Sequence, residues 1–132
     1  MLFALAIAAG GAAGTLARFG ISAWMAPLAV RFPFATLLIN VVGSFLIGWL
    51  SGEWSPVKDL TVRAALTIGF CGGFTTFSTF SIETVRMLHV GESRRAATYI
   101  VASLVLSISA AALGVALARA SSRTGHTHVS SR

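Results

Sequence analysis

One stretch limits what this chain can fold into more than any other. It is Gly69-Phe70-Cys71-Gly72-Gly73-Phe74-Thr75-Thr76-Phe77-Ser78-Thr79-Phe80-Ser81, set in the middle of an apolar segment from about Leu60 to Leu88. A segment of that length can cross a bilayer, yet its centre is a poor helix. Adjacent glycines lose backbone entropy and threonines are stiff at χ1. The hydroxyls of Thr75, Thr76, Ser78, Thr79 and Ser81 compete for backbone hydrogen bonds. If the segment spans a membrane, the irregularity falls near the midplane, where lipid satisfies no backbone group. Such a break survives only against protein or a water-lined cavity. One reading is a kinked helix packing through small residues. The alternation of Phe77 and Phe80 with hydroxyls points instead to a permeation or ion site.

Composition agrees with a membrane setting. A soluble domain carries roughly 25% charged residues; this chain carries 11%, is 55% hydrophobic and has a mean hydropathy of +0.82. The net charge of +6 is no nucleic-acid signal, because the basic residues are scattered at segment ends rather than gathered on one face. The single cysteine, Cys71, excludes an intrachain disulfide and reads as a small apolar filler. There is no Cys/His pair at zinc spacing, no phosphate loop and no Ser/His/Asp set, so an enzyme is not expected.

Four apolar segments are expected to be helices: Leu2 to Ala26, Phe34 to Leu50, Leu60 to Leu88 and Ala96 to Ala118. In the first, Gly10 and Gly14 suit close helix contact. Its Arg18 either snorkels to the interface or stands at the mouth of an anion path. A turn from Pro27 to Pro33 carries Arg31. Asn40, inside the second segment, needs partners for its amide; it bonds a neighbouring helix or offers a donor to an anion. Gly52 to Asp59 is a connection. Glu83 precedes Arg86 by three residues, a helical neighbour able to neutralise it in part, or simply its partner in a surface pair. A loop from His89 to Arg95 follows. In the last segment Ser103, Ser107 and Ala111 recur every four residues and share a face, either for packing or as a polar track. Residues from Ala120 to Arg132 read as a disordered tail, in which His126 and His128 are too isolated to argue for a metal.

Four spans put both termini on one side. That side carries five basic residues, Lys58, Arg63, Arg119, Arg123 and Arg132; the other carries four, Arg31, Arg86, Arg94 and Arg95, with Arg18 leaning the same way. Orientation normally follows the Lys/Arg excess, and here the excess is nearly absent. A chain without bias can insert both ways up, so an antiparallel homodimer is plausible. Four short helices are also few for enclosing a pore alone.

These residues resemble a known family. The Gly69–Ser81 motif is similar to the signature of the Fluc/CrcB fluoride channels. Gly10-Gly11-Ala12-Ala13-Gly14-Thr15-Leu16-Ala17-Arg18-Phe19 resembles that family's first-helix motif, and Thr36-Leu37-Leu38-Ile39-Asn40-Val41-Val42-Gly43-Ser44-Phe45 its second. The likeness covers the chain to about Arg119. It implies a passive fluoride exporter in a bacterial cell membrane, built as an inverted dimer with two pores and surrounded by lipid. By this resemblance Phe77 and Phe80 line the pore, presenting the positive edges of their rings to a small anion. Asn40 is a donor on the path, Ser103 and Ser107 lie on a polar track, and Thr79 belongs to the same route. Arg18 and Glu83 correspond to residues near the aqueous vestibules. The carbonyls of Gly72 and Thr75 would hold a structural Na⁺ at the dimer axis, since carbonyl oxygens suit a hard cation.

Two other classes remain. A small dual-topology, proton-coupled exporter would want a membrane-embedded carboxylate, and the first three-quarters of the third segment has none. A non-transporting assembly protein would account for the small-residue packing but not for the Phe/Thr/Ser array.

Overall fold

The computed structural model describes residues 1–29, 32–51 and 55–127, and all regular structure among them is helical. The elements are α1 (Leu2–Trp24), a single turn α2 (Ala26–Ala29), α3 (Phe34–Leu50), α4 (Leu60–Ala64), a π-helical segment (Ala65–Cys71), α5 (Gly72–Phe74), α6 (Phe77–His89) and α7 (Ser93–Thr127). Three stretches are long and apolar enough to cross a membrane: Leu2–Trp24, Leu60–His89 and Ser93–Arg123. Phe34–Leu50 is apolar but has 17 residues, about 25 Å at 1.5 Å per residue. Arg31, Gly52, His128 and Arg132, which entered the expectations above, lie outside the described residues.

The helix ends follow from local chemistry. Asp59 caps α4, its carboxylate accepting the Val62 N–H at 2.9 Å. Gly91, at φ 81°, closes α6 in a conformation that glycine adopts without strain. The Glu92 N–H reaches back to the Met87 carbonyl and the Gly91 N–H to that of Leu88, the bond pair of a Schellman stop. That turn sends the chain straight into α7, which passes the expected end at Ala118 and stays helical to Thr127. The short helix α2 begins one residue before the expected first turn and takes up its opening residues.

Two close crossings carry most of the packing. α1 lies against the π-helical segment, and a Cβ on Gly10 or Gly14 would collide with the carbonyl oxygens of Ala65 or Phe70. α3 lies against α7, where a Cβ on Gly48 or Gly114 would strike the backbone of Ala111 or Phe45. Small residues are what let these backbones approach. A cluster of Met87, Ala96 and Tyr99, flanked by Phe32, Leu37 and Phe80, ties α6 to the α3–α7 pair. Many large apolar side chains, among them Leu16, Phe19, Ile68 and Ile108, remain on the outer surface.

The break in the third segment falls at Thr75–Thr76, in its middle, and the glycines do not make it. Gly72 is helical (φ −64°, ψ −39°), whereas Thr75 (φ −75°, ψ 157°) and Thr76 (φ −151°, ψ 109°) are extended. Gly69 and Gly73 serve the crossing instead: a Cβ on Gly73 would press on the Gly11 carbonyl, and one on Gly69 on that of Ile7. Small size, not backbone freedom, explains these two.

Candidate functional site

The site is assembled from the extended pair outward. A helix interrupted at Thr75–Thr76 must find other partners for the freed peptide groups. Asn40 supplies two of them. Its Oδ1 accepts the Thr76 N–H at 2.8 Å and its Nδ2 donates to the Thr76 carbonyl at 3.1 Å. The fixed polarity of that peptide also fixes which way the amide faces. Asn40 thus uses one amide N–H to hold the break, and its second N–H is what remains for the adjoining cavity. The Thr76 hydroxyl then caps α6, accepting the Thr79 N–H at 3.1 Å and donating to the Thr79 hydroxyl at 2.9 Å.

The redirection of these donors has a consequence for two carbonyls. In a continuous helix the Thr76 N–H would meet the Gly72 carbonyl and the Thr79 N–H that of Thr75. Both N–H groups are turned elsewhere. Gly72 is exposed, with open space where its Cβ would be.

Beside the break lies a cavity of about 290 Å³. It is lined by Phe77 and Phe80, by the polar residues Asn40, Ser44, Thr75, Ser103 and Ser107, and by Ile47, Leu104 and Ile108. The two rings lie 5.5 Å apart, tilted at 42°. Phe77 is 76% exposed. The Ser103 hydroxyl is buried and has no hydrogen-bond partner among the described residues. A second cavity of about 280 Å³ is lined by Arg18, Phe19 and the hydroxyl residues Thr15, Ser22, Thr36, Thr76 and Thr79. Thr76, whose peptide Asn40 holds, lines this second space, so the break lies between the two.

The structure therefore brings Phe77, Phe80, Asn40, Ser103 and Ser107 to one cavity, and Arg18 and Thr79 to the other. Ser103 and Ser107 part company with Ala111, which packs against Gly48. The row therefore divides, two serines on the cavity and the alanine in the helix crossing. Glu83 lines neither cavity. Its carboxylate is not turned to Arg86 either: Thr36 donates to Oε1 at 2.9 Å and Tyr99 to Oε2 at 2.7 Å. Packing brings the buried Thr36 and Tyr99 hydroxyls within reach of it, while Arg86 is exposed.

Thr36, Ser44, Thr76 and Tyr99 were not singled out from the sequence. A signal for three of them was present. Thr36, Asn40 and Ser44 recur every four residues on α3, as do Tyr99, Ser103 and Ser107 on α7, so each set shares a helix face.

A family model described as CrcB-like protein, Camphor Resistance (CrcB), matches residues 5–115. Curated relatives named fluoride-specific ion channel FluC are similar over nearly the whole chain. The one from Nitrobacter winogradskyi is 44% identical over 125 residues, covering 89% of this chain and 95% of its own. That from Saccharophagus degradans is 47% identical over 120 residues, 86% of each chain. That from Geobacter metallireducens is 46% identical over 123 residues, covering 90% and 98%. A match of this extent over all the helices that build both cavities means that the chain belongs to the CrcB family.

Proposed function

We propose that this protein is a fluoride-selective channel that lets fluoride leave a bacterial cell down its gradient. The observation that carries the reading is the first cavity, lined together by two phenylalanines, two serines of α7 and an asparagine beside a broken helix. Ring edges and neutral donors can replace part of the shell of a small anion. A fixed cation in the same place would hold the ion too long for it to leave. Arg18, in the second cavity, would draw anions toward the break. The names of the relatives support the choice of fluoride.

In this reading four helices span the membrane and two chains pair antiparallel within the lipid. The apolar surface left open on α1 and on the π-helical segment, at Leu16, Phe19 and Ile68, is available for that pairing. The carbonyls of Gly72 and Thr75, deprived of their helical donors, fit a hard cation, and Na⁺ shared by both chains would satisfy them.

The test is ion release from liposomes holding the purified protein. Fluoride should leave rapidly when the compensating charge is allowed to move, chloride should stay, and a proton gradient should not drive the flux. Fluoride release that stops when the proton gradient is removed would replace the channel with a proton-coupled exporter. No release of either ion would leave a non-transporting assembly protein.

A further inference from the structure

The two faces of α7 meet different surroundings. Ser103 and Ser107 line the first cavity. Val101 and Val105 each stand two residues from Ser103, about 200° round the helix, and are 60% and 57% exposed. Along that outer face runs a shallow groove of about 570 Å³, lined by Ala97, Thr98, Val101, Ala102, Val105 and Leu106. The Thr98 hydroxyl donates to the Arg94 carbonyl at 2.9 Å, so its polar atom is satisfied on the helix's own backbone. What the groove offers is apolar.

Its depth matches half a bilayer. Ala97 to Leu106 is nine residues, about 14 Å along a helix, and one leaflet of the hydrocarbon core is about 15 Å thick. The inner end lies level with Ser103 and Leu104, which line the cavity beside the Thr75–Thr76 break. The outer end lies one turn from Arg94, which is exposed. Arg94, Thr98, Val101 and Val105 recur at intervals of four, three and four residues and so share a face. Helical side chains lean toward the N-terminus, here toward the membrane surface. The guanidinium therefore stands at the depth of lipid headgroups.

The charge of Arg94 is not used within the described part of the chain. Glu92 is paired with Arg95 at 2.7 Å, and Arg94 has no carboxylate partner among the described residues. The first turn of α7 holds two arginines and no acidic residue, although the positive end of a helix dipole favours an anion. An anion from outside the chain would offset both. On a helix that crosses a bilayer, the outer face is covered by acyl chains, and the anion attached to an acyl chain is a headgroup phosphate.

We propose that the outer face of α7 is a binding site for one acidic glycerophospholipid, with an acyl chain in the groove from Ala97 to Leu106 and the phosphate on Arg94. The site depends only on α7 crossing a membrane, so it stands or falls apart from the fluoride reading.

The experiment titrates the purified protein in detergent micelles with phosphatidylglycerol or with phosphatidylcholine of the same acyl chains, and counts bound lipids by native mass spectrometry. The wild type should hold one phosphatidylglycerol per chain about tenfold more tightly than phosphatidylcholine, the scale of one charge-assisted hydrogen bond. Arg94→Gln should abolish that preference, and Arg94→Lys, which keeps the charge, should retain most of it. Arg86→Gln removes a charge from the same end of the bundle, outside the groove, and should change nothing. Val101→Trp, which fills the groove, should weaken the binding of both lipids. Should Arg94→Gln fail to elute at the wild-type position on size exclusion, the wild-type preference and Val101→Trp decide. Equal affinity of the wild type for the two lipids would overturn the proposal. Equal losses in Arg94→Gln and Arg86→Gln would do the same, by showing an effect of surface charge at large. So would disulfide cross-linking between chains of a Val101→Cys variant in a Cys71→Ser background, which would put a second copy of the chain on this face.

Discussion

Asn40 holds the Thr76 peptide in two directions at once, and few side chains can do that. An aspartate there would still accept the Thr76 N–H, but its second oxygen would face the Thr76 carbonyl with no proton to share. The unsatisfied carbonyl costs about 1–3 kcal/mol, and a negative charge is added beside the cavity. Asn40→Asp should therefore lower liposome fluoride efflux by about tenfold or more, and further than Asn40→Ser, which adds no charge. Wild-type efflux from the aspartate variant would remove Asn40 from both roles. At this scale the sequence was partly readable. Asn40 stands out as an amide inside an apolar run, and Phe77 and Phe80 as rings three residues apart. Thr76 does not stand out, because its contribution is a peptide group and a cap, and any residue carries a peptide. Glu83 was misread for a related reason. Its helical neighbour Arg86 was visible in the sequence, whereas Thr36, 47 residues away, and Tyr99, 16 away, become neighbours only through packing.

The third segment shows what a run of residues reveals about an element and what it hides. That a break would occur between Gly69 and Ser81 was legible, since threonines and glycines weaken a helix there. Its place was not, because the extended pair is selected by Asn40 on another helix. The glycines were legible as small but ambiguous in use, for entropy and close packing ask for the same residue. The structure separates the two, and mutation can check the separation. A methyl on Gly14 would run into the Phe70 carbonyl, while one on Gly20 would meet nothing within 4 Å. Gly14→Ala should thus destabilise the protein by about 1–3 kcal/mol through overpacking, offset only slightly by better helix propensity. Gly20→Ala should be neutral or stabilising by about 0.5–1 kcal/mol. Thermal unfolding in detergent, followed by loss of the size-exclusion peak, compares them directly. Equal behaviour of the two variants would mean that α1 does not press on the π-helical segment as described.

For the whole molecule, the question is which way up it sits. Of the basic residues that would decide it, Lys58, Arg63, Arg119 and Arg123 flank one end of the helices and Arg86, Arg94 and Arg95 the other. Arg31 and Arg132 add one to each side by sequence. Such a balance gives the insertion machinery little to choose by. In the proposed inverted pair, two chains of opposite orientation would bury the open apolar surface of each against the other. Pairing in that way would also bring the two Thr75–Thr76 breaks together, with the carbonyls of Gly72 and Thr75 from both chains around one cation. The arrangement predicts that a cysteine placed in the tail, in a Cys71→Ser background, is labelled from both sides of the membrane in intact cells and inverted vesicles. Adding two or three lysines near Ala120 should bias most chains one way, since charges close to a span end count most and C-terminal additions can flip a topology. The biased chains should lose fluoride transport for want of partners. Co-expression with a chain biased the other way, by lysines near Arg94, should restore it. Labelling of the unaltered protein from one side alone would rule out the inverted pair, and the shared cation would lose half its ligands.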